Sequence, residues 1–320
     1  MVTTAGRVTL WGIEVFVATA EEGAISAASR RLGTSAATVS QQLTNLEGAI
    51  GTTLLDRGAR PVTLTPAGEM FLRRANTILN EAEQARAELA MADLSRLTRL
   101  RLGMVEDFSA DVTPALLAEM SADLMNCHFL LETGATHQLT ELLDSRALDI
   151  IVAAETGRHD PGVEVYPLME EPFVAAVPKG RIKEGDIAKQ LRRMPLIQYT
   201  TRHHMGRMVK AHLDEEGITL SHRFELDSYH AIMAMVAEGA GWSILTPLGW
   251  MRAARFRDDV DLIELPFAPI SRKITLTSRK DVLSTMPATI AERLRPLLKD
   301  MIVDPAVAEH PWLAEKLRLI

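Results

Sequence analysis

Small, hydroxyl and amide side chains follow one side of a predicted helix between Ser35 and Gly51. The apolar residues of this segment have the spacing of a helix that buries one side: Val39, Leu43, Leu46 and Ile50. The opposite side carries small or hydrogen-bonding residues: Ala37, Thr38, Gln41, Gln42 and Asn45. Amide groups pair bidentately with adenine, and small residues allow a helix to approach the base edges closely. The segment therefore predicts hydrogen bonding to bases in a DNA major groove.

The residues around this helix predict the elements that position it. A shorter helix ends before Gly33 and Thr34, and Ser35 is placed to cap the next one. Two short strands are expected at 53–55 and 62–64, joined by a turn that carries Arg57 and Arg60. Arginines on such a wing suit a narrow minor groove or a phosphate. The predicted contacts of this winged helix-turn-helix with DNA are Ser35, Ala36, Ala37, Thr38, Ser40, Gln41, Gln42, Arg57 and Arg60.

The charge of this segment limits how it binds. Residues 1–66 hold five arginines and five carboxylates, so the segment is neutral, and the whole chain has a net charge of -7. Phosphate neutralisation supplies much of the affinity for DNA. One copy should bind weakly, and several copies are expected on one site.

A predicted helix after Thr65 offers a way to bring two copies together. Its apolar positions alternate in steps of four and three: Phe71, Ala75, Ile78, Ala82, Ala85, Leu89 and Ala92. The pattern indicates a seam that pairs two subunits. An amphipathic helix that packs on its own domain would show a similar pattern, and this alternative stays open.

From Leu100 onward, short apolar runs alternate with helical stretches. Strands are expected at 100–105, 129–132, 149–153, 173–177, 196–199 and 243–245, and helices at 114–125, 138–144, 205–216 and 229–238. This alternation predicts parallel sheets with crossover helices. The span is long for one sheet, so we expect two lobes with a cleft between them.

Segments that follow strands should line this cleft. The expected ligand contacts are Glu106, Asp107, Phe108, Ser109, Thr136, His137, Tyr199, Thr201, Arg202, Asp227, Ser228 and Thr246. Free N–H groups at helix starts suit a carboxylate, whereas Glu106 and Asp107 would oppose a purely anionic ligand. We expect a small molecule with an acidic end and a basic or hydroxyl end, such as an amino-acid-like metabolite. A solvated loop or a helix cap is the alternative for Glu106 and Asp107.

Composition excludes several other classes of protein. The chain has 320 residues, 47% hydrophobic and 24% charged, without an apolar run of membrane-spanning length or a secretory signal. A cytoplasmic protein without a membrane partner is expected. The single cysteine, Cys127, excludes an intrachain disulfide and an all-cysteine metal site, and we expect it near the start of a buried strand. No metal or cofactor is expected.

A histidine-rich stretch is the best argument for an enzyme. His203 and His204 are adjacent, so they point about 100° apart on a helix and do not chelate one ion together. The neighbouring residues form no hydrolase, zinc-protease or phosphate-loop motif. We therefore expect no catalytic site, with His203 or Arg202 as a ligand contact instead. Two alternatives remain: an enzyme with a site near His203 and His204, and an architectural DNA-binding protein that needs no ligand.

The amino-terminal residues resemble a known family at about twenty positions: Leu10, Phe16, Val17, Glu22 to Ala24, Ala27, Ala28, Leu32, Ser35, Val39, Ser40, Leu46, Glu47, Gly51, Leu54, Leu55, Arg57, Arg60 and Leu64 to Gly68. They are similar to the DNA-binding domain of LysR-type transcriptional regulators. That family often has Gln-Pro after the capping serine, where this chain has Ala36 and Ala37. Base reading is therefore expected to shift toward Thr38, Ser40 and Gln41.

The second half carries weaker motifs: Leu102, Gly103, Glu106, Asp107, Gly134, Thr136, Leu139, Leu143, Leu148, Asp149, Asp227, Ser228, 236–242 and 245–247. They resemble the effector domain of the same family, which is similar to periplasmic solute-binding proteins. Arg146 stands where the family usually has glycine. The peroxide-sensing branch of the family uses a cysteine pair, which this chain lacks.

The resemblance implies an α+β multidomain fold. We expect a winged helix-turn-helix domain at 1–65, a linker helix at 66–97, a two-lobed α/β effector domain at 98–303 and a tail at 304–320. Lobe I would comprise 98–168 and 269–303, and lobe II 169–268. The implied function is a regulator whose promoter binding responds to a small-molecule effector. The implied partners are double-stranded DNA, a second subunit through the linker helix, a further dimer that completes a homotetramer, and RNA polymerase. The sequence leaves open whether the tail packs on its own lobe or on a neighbour.

Overall fold

The computed structural model describes residues 7–89, 97–157, 160–280 and 282–320. The chain divides into two compact units. The first comprises Met1–Ala90 with Ser145–Ala147, and the second comprises Met91–Asp144 with Leu148–Ile320.

The first unit contains four helices and a two-stranded wing among its described residues. Its elements are α1 (Leu10–Glu22), α2 (Ile25–Arg31), α3 (Ala36–Ile50), β1 (Leu55–Asp56), β2 (Thr63–Leu64) and α4 (Pro66–Leu89). The Ser35 hydroxyl accepts the Thr38 N–H and caps α3, as the sequence predicts. The helix ends at Gly51, whose φ of 82° is left-handed and suits glycine. The wing strands are shorter than predicted and antiparallel, with Leu55 opposite Leu64.

Helix α4 packs on its own unit at its start. The Phe71 ring meets the Phe16 ring of α1 edge to face at 5.3 Å, and Ala75 is fully buried. At these two positions the helix follows the alternative of packing on its own domain: Ala75 belongs to the core of the first unit, and Phe71 is partly buried against that core. Ile78 is exposed, whereas Ala92 and the side chain of Leu89 lie outside the described residues, as do residues 90–96 of the predicted linker.

The second unit alternates strands and helices. Its strands are β3 (Arg99–Val105), β4 (His128–Gly134), β5 (Ile150–Ala154), β6 (Val163–Pro172), β7 (Val174–Pro178), β8 (Leu196–Tyr199), β9 (His222–Leu226), β10 (Ser243–Leu245), β11 (Val260–Glu264), β12 (Ser271–Arg279) and β13 (Arg318–Leu319). Its helices are α5 (Val112–Asp123), α6 (Thr136–Asp144), α7 (Ile187–Leu191), α8 (His204–Glu215), α9 (Tyr229–Ala237), α10 (Pro247–Arg252), α11 (Met286–Leu298) and α12 (Asp304–Glu309).

These strands form two larger sheets and a separate pair. The six-stranded sheet has the order β13-β6-β12-β5-β3-β4, and the three-stranded sheet has the order β10-β7-β11. Only β3 pairs in parallel within the first sheet, with β4 and β5, and β8 pairs in parallel with β9. The prediction of parallel sheets is therefore wrong for the three-stranded sheet, which is antiparallel throughout. The chain passes from one sheet to the other at Phe173, between β6 and β7, so the two sheets are the observed basis for two lobes.

The tail packs on its own unit. Leu313 and Leu317 are buried in the core of the second unit, and β13 adds to the six-stranded sheet beside β6. Cys127 lies partly buried just before β4, where burial and then the Asp149 charge raise the pKa of its thiol to about 11. Arg146 adopts a φ of 62°, the left-handed conformation that glycine favours. Within the described residues, no helix is long and apolar enough to cross a membrane.

Candidate functional site

The outer side of α3 presents the predicted DNA contacts. Ser35, Ala36, Ala37 and Gln41 are exposed, and Thr38, Ser40 and Gln42 are partly exposed. The Gln41 amide donates to the Asn45 amide oxygen at 2.9 Å, and the Thr38 and Ser35 hydroxyls lie 2.8 Å apart. The polar groups of this helix are thus oriented by one another. The contacts of this side with DNA are predictions that the sequence makes.

Glu47, one of the positions of the family resemblance but not a predicted DNA contact, joins α3 to the wing. Its Oε1 accepts the backbone N–H groups of Leu54 at 2.8 Å and Leu55 at 3.2 Å, and its Oε2 accepts the Arg57 Nη2 donor. Arg57 also donates to the Thr44 hydroxyl at 3.2 Å, whereas Arg60 is exposed. One of the two predicted wing arginines therefore already contacts the helix. The sequence signal for this role of Glu47 is a carboxylate that stands among apolar and amide residues near the end of the helix.

The predicted effector contacts divide by burial. Asp107, Phe108, Thr136, Tyr199 and Thr246 are buried, with Phe108 and Thr246 at 0% exposure. His137, Thr201 and Ser228 are partly exposed, whereas Glu106, Ser109, Arg202 and Asp227 are exposed. Phe108 and Thr246 have no exposed surface and support the neighbouring residues. The other predicted contacts, including Asp107 and Tyr199, keep some surface that is available to a ligand.

A buried arginine connects several segments of this region through hydrogen bonds. Arg272 on β12 donates from Nη2 to Asp107 Oδ2 at 2.6 Å and from Nε to Glu171 Oε2 at 2.8 Å. Glu171 Oε1 accepts the Leu248 N–H at the start of α10, also at 2.8 Å. Arg272 and Glu171 are directly opposite each other on β12 and β6. Sequence reasoning missed both, because charged residues inside strands give no apolar signal.

Burial acts differently on the two charged groups. Desolvation raises the pKa of the Glu171 carboxyl, and Arg272 acts in the opposite direction. For Arg272, desolvation alone would lower the pKa, but Glu171, Tyr229 and Asp107 together raise it well above its usual value. Arg272 is therefore a permanent cation at this position.

A row of aromatic rings connects the predicted segments. The His137 and His203 ring centroids lie 5.7 Å apart, those of His203 and Tyr199 5.7 Å, and those of Tyr199 and Tyr229 5.4 Å. The Tyr229 hydroxyl then donates to Asp107 Oδ2 at 3.4 Å. Burial raises the pKa of both tyrosines and lowers that of His203. The structure thus brings together the residues that follow β3, β4, β8 and β9, as a row of rings that ends at the Asp107 carboxylate.

Arg252 of α10 holds the turn that carries Asp107 through hydrogen bonds. Arg252 donates from Nε to the Asp107 carbonyl at 2.5 Å, and its two terminal nitrogens bind the Asp111 carboxylate at 2.7 and 2.6 Å. Bidentate pairs of this kind fix orientation as well as position. Arg252 and Asp111 were also missed, since neither directly follows a predicted strand.

Two helix starts in this region, those of α8 and α9, lack a side-chain cap. Neither His203 before α8 nor Ser228 before α9 makes a side-chain cap hydrogen bond. The backbone N–H groups of an uncapped helix start attract an anionic group. Among the described residues, no three histidine, cysteine or carboxylate groups are placed to hold a metal ion. His203 directly precedes α8, and His204 is its first residue.

Two family models match the chain. Residues 10–69 match the model described as "Bacterial regulatory helix-turn-helix protein, lysR family", and residues 95–299 match the one described as "LysR substrate binding domain". Among curated relatives, the "Uncharacterized HTH-type transcriptional regulator YusT" of Bacillus subtilis is 29% identical over 271 residues, covering 84% of this chain and 89% of that protein. A "Probable hydrogen peroxide-inducible genes activator" of Mycobacterium xenopi is 33% identical over 180 residues, covering 55% and 93%.

Solved structures share the fold. A full-length OxyR variant from Pseudomonas aeruginosa has a TM-score of 0.67 at 21% identity, covering 92% of this chain and 95% of that one. CbnR in complex with its target DNA has a TM-score of 0.62 at 22% identity, covering 91% and 100%. Since the two family models together span most of the sequence, the chain belongs to the LysR family of DNA-binding transcriptional regulators, with an effector-binding domain that follows the helix-turn-helix domain in the sequence.

Proposed function

We propose that this regulator binds a small molecule at the row of rings and the buried charges described above, and that this binding changes how it occupies promoter DNA. The contact series from His137 through Tyr199 and Tyr229 to Asp107 carries the proposal, since it joins four segments that follow strands of the second unit. Polar groups that converge at strand ends are typical of ligand sites in α/β folds. The expected effector carries an acidic end and a basic or hydroxyl end.

The DNA contacts are proposed to come from α3 and the wing of two subunits. Ala36 and Ala37 present no hydrogen-bonding side chain, so Thr38, Ser40, Gln41 and Gln42 would read the bases. Arg60 would bind a phosphate or the minor groove, with Arg57 beside it. Because the segment is neutral, a homodimer on two half-sites supplies the affinity that one copy lacks, and a homotetramer adds a second pair.

Effector binding is proposed to act by a population shift. A ligand that contacts residues on both sheets favours one relative position of the two lobes. In an oligomer this changes the spacing or angle of the DNA-binding domains and the bend that they impose. The altered complex with DNA would then contact RNA polymerase. We also propose that the protein acts in the cytoplasm and catalyses no reaction.

A thiol-based peroxide response does not fit this chain. Some relatives are named as hydrogen peroxide-inducible activators, but Cys127 is the single cysteine of the sequence. Burial raises the pKa of its thiol to about 11, which leaves little of the reactive thiolate at neutral pH. We expect Cys127→Ser to leave promoter binding unchanged, with and without peroxide. A peroxide-dependent footprint that this variant abolishes would contradict the proposal.

Two substitutions test the DNA-binding side. Arg60→Ala should weaken binding to all sequences and reduce the salt slope by about one, because it removes one phosphate contact. Gln41→Ala should mainly relax sequence preference, costing about 1–3 kcal/mol at one base position. Both are measured by titrating operator and random duplexes at several salt concentrations. Unchanged discrimination by Gln41→Ala would show that this side of α3 does not read the bases.

The alternative of a ligand-independent architectural protein has a separate test. Footprints are compared before and after addition of any compound that raises the thermal unfolding midpoint. A regulator changes its footprint when the compound is bound, whereas an architectural protein keeps it.

A further inference from the structure

One arginine beneath the row of rings serves two buried carboxyl groups. Asp107 Oδ2 accepts hydrogen bonds from Arg272 and Tyr229, and the two oxygens of Glu171 accept from Arg272 and the Leu248 N–H. Burial raises the pKa of the Glu171 carboxyl, whereas Asp107 lies in an ion pair with Arg272. A buried carboxylate that shares its arginine with a second acceptor is only partly compensated, and a cation beside it would lower the free energy of the site.

Asp107 retains an acceptor for such a cation. Among the described residues, no donor contacts its Oδ1 atom, since Arg272 and Tyr229 both use Oδ2 and Arg252 uses the backbone carbonyl. Asp107 is 5% exposed. Its Oδ1 atom, which meets no donor in the described part of the chain, is not fully buried, so part of the exposed surface belongs to this atom. This oxygen is therefore open to a small group that enters the site.

The neighbouring rings suit the same kind of group. Tyr229 and Tyr199 lie 5.4 Å apart between centroids, and the Tyr229 hydroxyl reaches the Asp107 carboxylate. Aromatic faces attract cations, and an ammonium group that has lost its water gains most from them. Burial keeps both tyrosines neutral by raising their pKa. Glu106 and Asp227, both exposed predicted contacts, act electrostatically on Tyr199 and so add negative charge around this position.

We infer that the effector is an organic amine whose ammonium group binds Asp107 Oδ1 against the rings of Tyr199 and Tyr229. This inference rests on the proposed function, because it assigns one end of the ligand in the same site. The other end suits a carboxylate, which Arg202 and the uncapped start of α8 would receive. The ammonium group gives the Asp107 carboxylate a second cationic partner beside Arg272.

Calorimetry with matched compounds tests the ammonium requirement. The full-length protein is titrated with L-amino acids and with the 2-hydroxy acids that carry a hydroxyl in place of the ammonium group. At least one amino acid should bind, and its hydroxy acid should bind at least about tenfold more weakly, since it lacks the charge. Equal affinity for the two compounds, heat only from dicarboxylates, or no heat from any amino acid would overturn the inference.

Variants locate the ammonium group. Asp107→Asn keeps the shape but removes the charge, and should weaken binding of the amino acid at least about tenfold. Glu119→Gln, at an exposed position of α5 that takes no part in the proposed site, is the control and should change affinity less than about threefold. Because Asp107→Asn also alters the Arg272 contact, a second pair is needed: Tyr199→Phe keeps the ring and should bind, whereas Tyr199→Leu should not. Equal binding by Asp107→Asn and the native protein, or by both Tyr199 variants, would overturn the inference.

A footprint separates this inference from the proposed function. If a dicarboxylate, and no amine, changes the promoter footprint, the regulator stands and the ammonium site falls. If amines bind but no compound changes the footprint, the ammonium site stands and the regulatory proposal falls.

Discussion

At the scale of single residues, Glu47 shows how one side chain connects the two parts of the DNA-binding unit. Its carboxylate receives two backbone N–H groups of the segment before the wing and the Arg57 guanidinium. Hydrogen bonds to a charged, mostly buried group contribute more than an exposed ion pair does. The position of the wing relative to α3 therefore depends on this residue.

We expect Glu47→Ala to reduce the free energy of unfolding by about 1–3 kcal/mol, because two backbone donors lose their acceptor. Operator affinity should fall as well, since Arg57 and the wing lose their anchor. Denaturant unfolding and DNA titration measure the two effects. Arg31→Ala is the control: Arg31 pairs with Glu21 in the open, with both side chains 48% exposed, so its loss should cost about 0–1 kcal/mol. Similar losses in the two variants would contradict the role of Glu47.

His310 in the tail gives a second test at this scale. Its ring lies 4.8 Å from the Trp250 ring of α10, and Arg257 stacks on that tryptophan at 4.1 Å. Desolvation lowers the pKa of His310 below its usual 6.5; Glu309 raises it in part, and Arg257 lowers it further. The unfolded chain therefore takes up a proton at this residue more readily than the folded protein does.

The sign of the pH effect follows from this difference. The contribution of His310 to stability is fully present above pH 6.5 and is lost as the pH falls through its lower folded pKa. His310→Phe keeps a ring against Trp250 but does not titrate. We expect its unfolding midpoint to fall less than that of the native protein between about pH 7 and about pH 5. Thermal unfolding across this range measures the effect, and identical slopes for the two proteins would refute it.

At the scale of elements, α4 combines two roles along one helix. Phe71 and Ala75 pack into the core of their own unit, whereas Met70 is 66% exposed and Ile78 is 39% exposed. Apolar side chains in the open on a helix are the ones available to a second subunit. The proposed pairing therefore uses Ile78 and the positions after it rather than the whole predicted seam.

We expect Ile78→Glu to weaken dimerisation at least about tenfold, because it places a charge in the apolar interface. Sedimentation velocity over a concentration series measures the dissociation constant, and operator binding should weaken in parallel. Arg74→Gln, at an exposed polar position of the same helix, should leave both unchanged. An Ile78→Glu protein that remains dimeric at the native dissociation constant would rule out this interface.

The elements also show which information the sequence carries locally. The bounds of α3, β8 and β10 agree with the prediction closely, because capping residues and uninterrupted apolar runs define them. Strands β6 and β12 were missed, since Glu171 and Arg272 interrupt their apolar pattern with charges that only the folded protein neutralises. The Glu47 to Arg57 contact was missed for a related reason: it depends on how the wing folds back on the helix.

At the scale of the whole molecule, the sequence predicted the architecture and most segments of the effector region but not its centre. Segments after strands were correctly expected to converge, as His137, Tyr199 and Asp107 do. Arg272, Glu171 and Arg252 supply the charges that hold these segments together, and they come from parts of the chain without a motif. Long-range ion pairs of this kind require the tertiary fold to be known.

The regulator as a whole is expected to read DNA as a symmetric pair. In vitro selection of duplexes from a random library with the full-length protein tests this most directly. We expect enrichment of an inverted repeat whose half-sites lie about one helical turn, or a multiple of it, apart. Gln41→Ala should broaden that selected sequence. A library that shows no enrichment over random sequence, with binding governed by salt alone, would contradict the account.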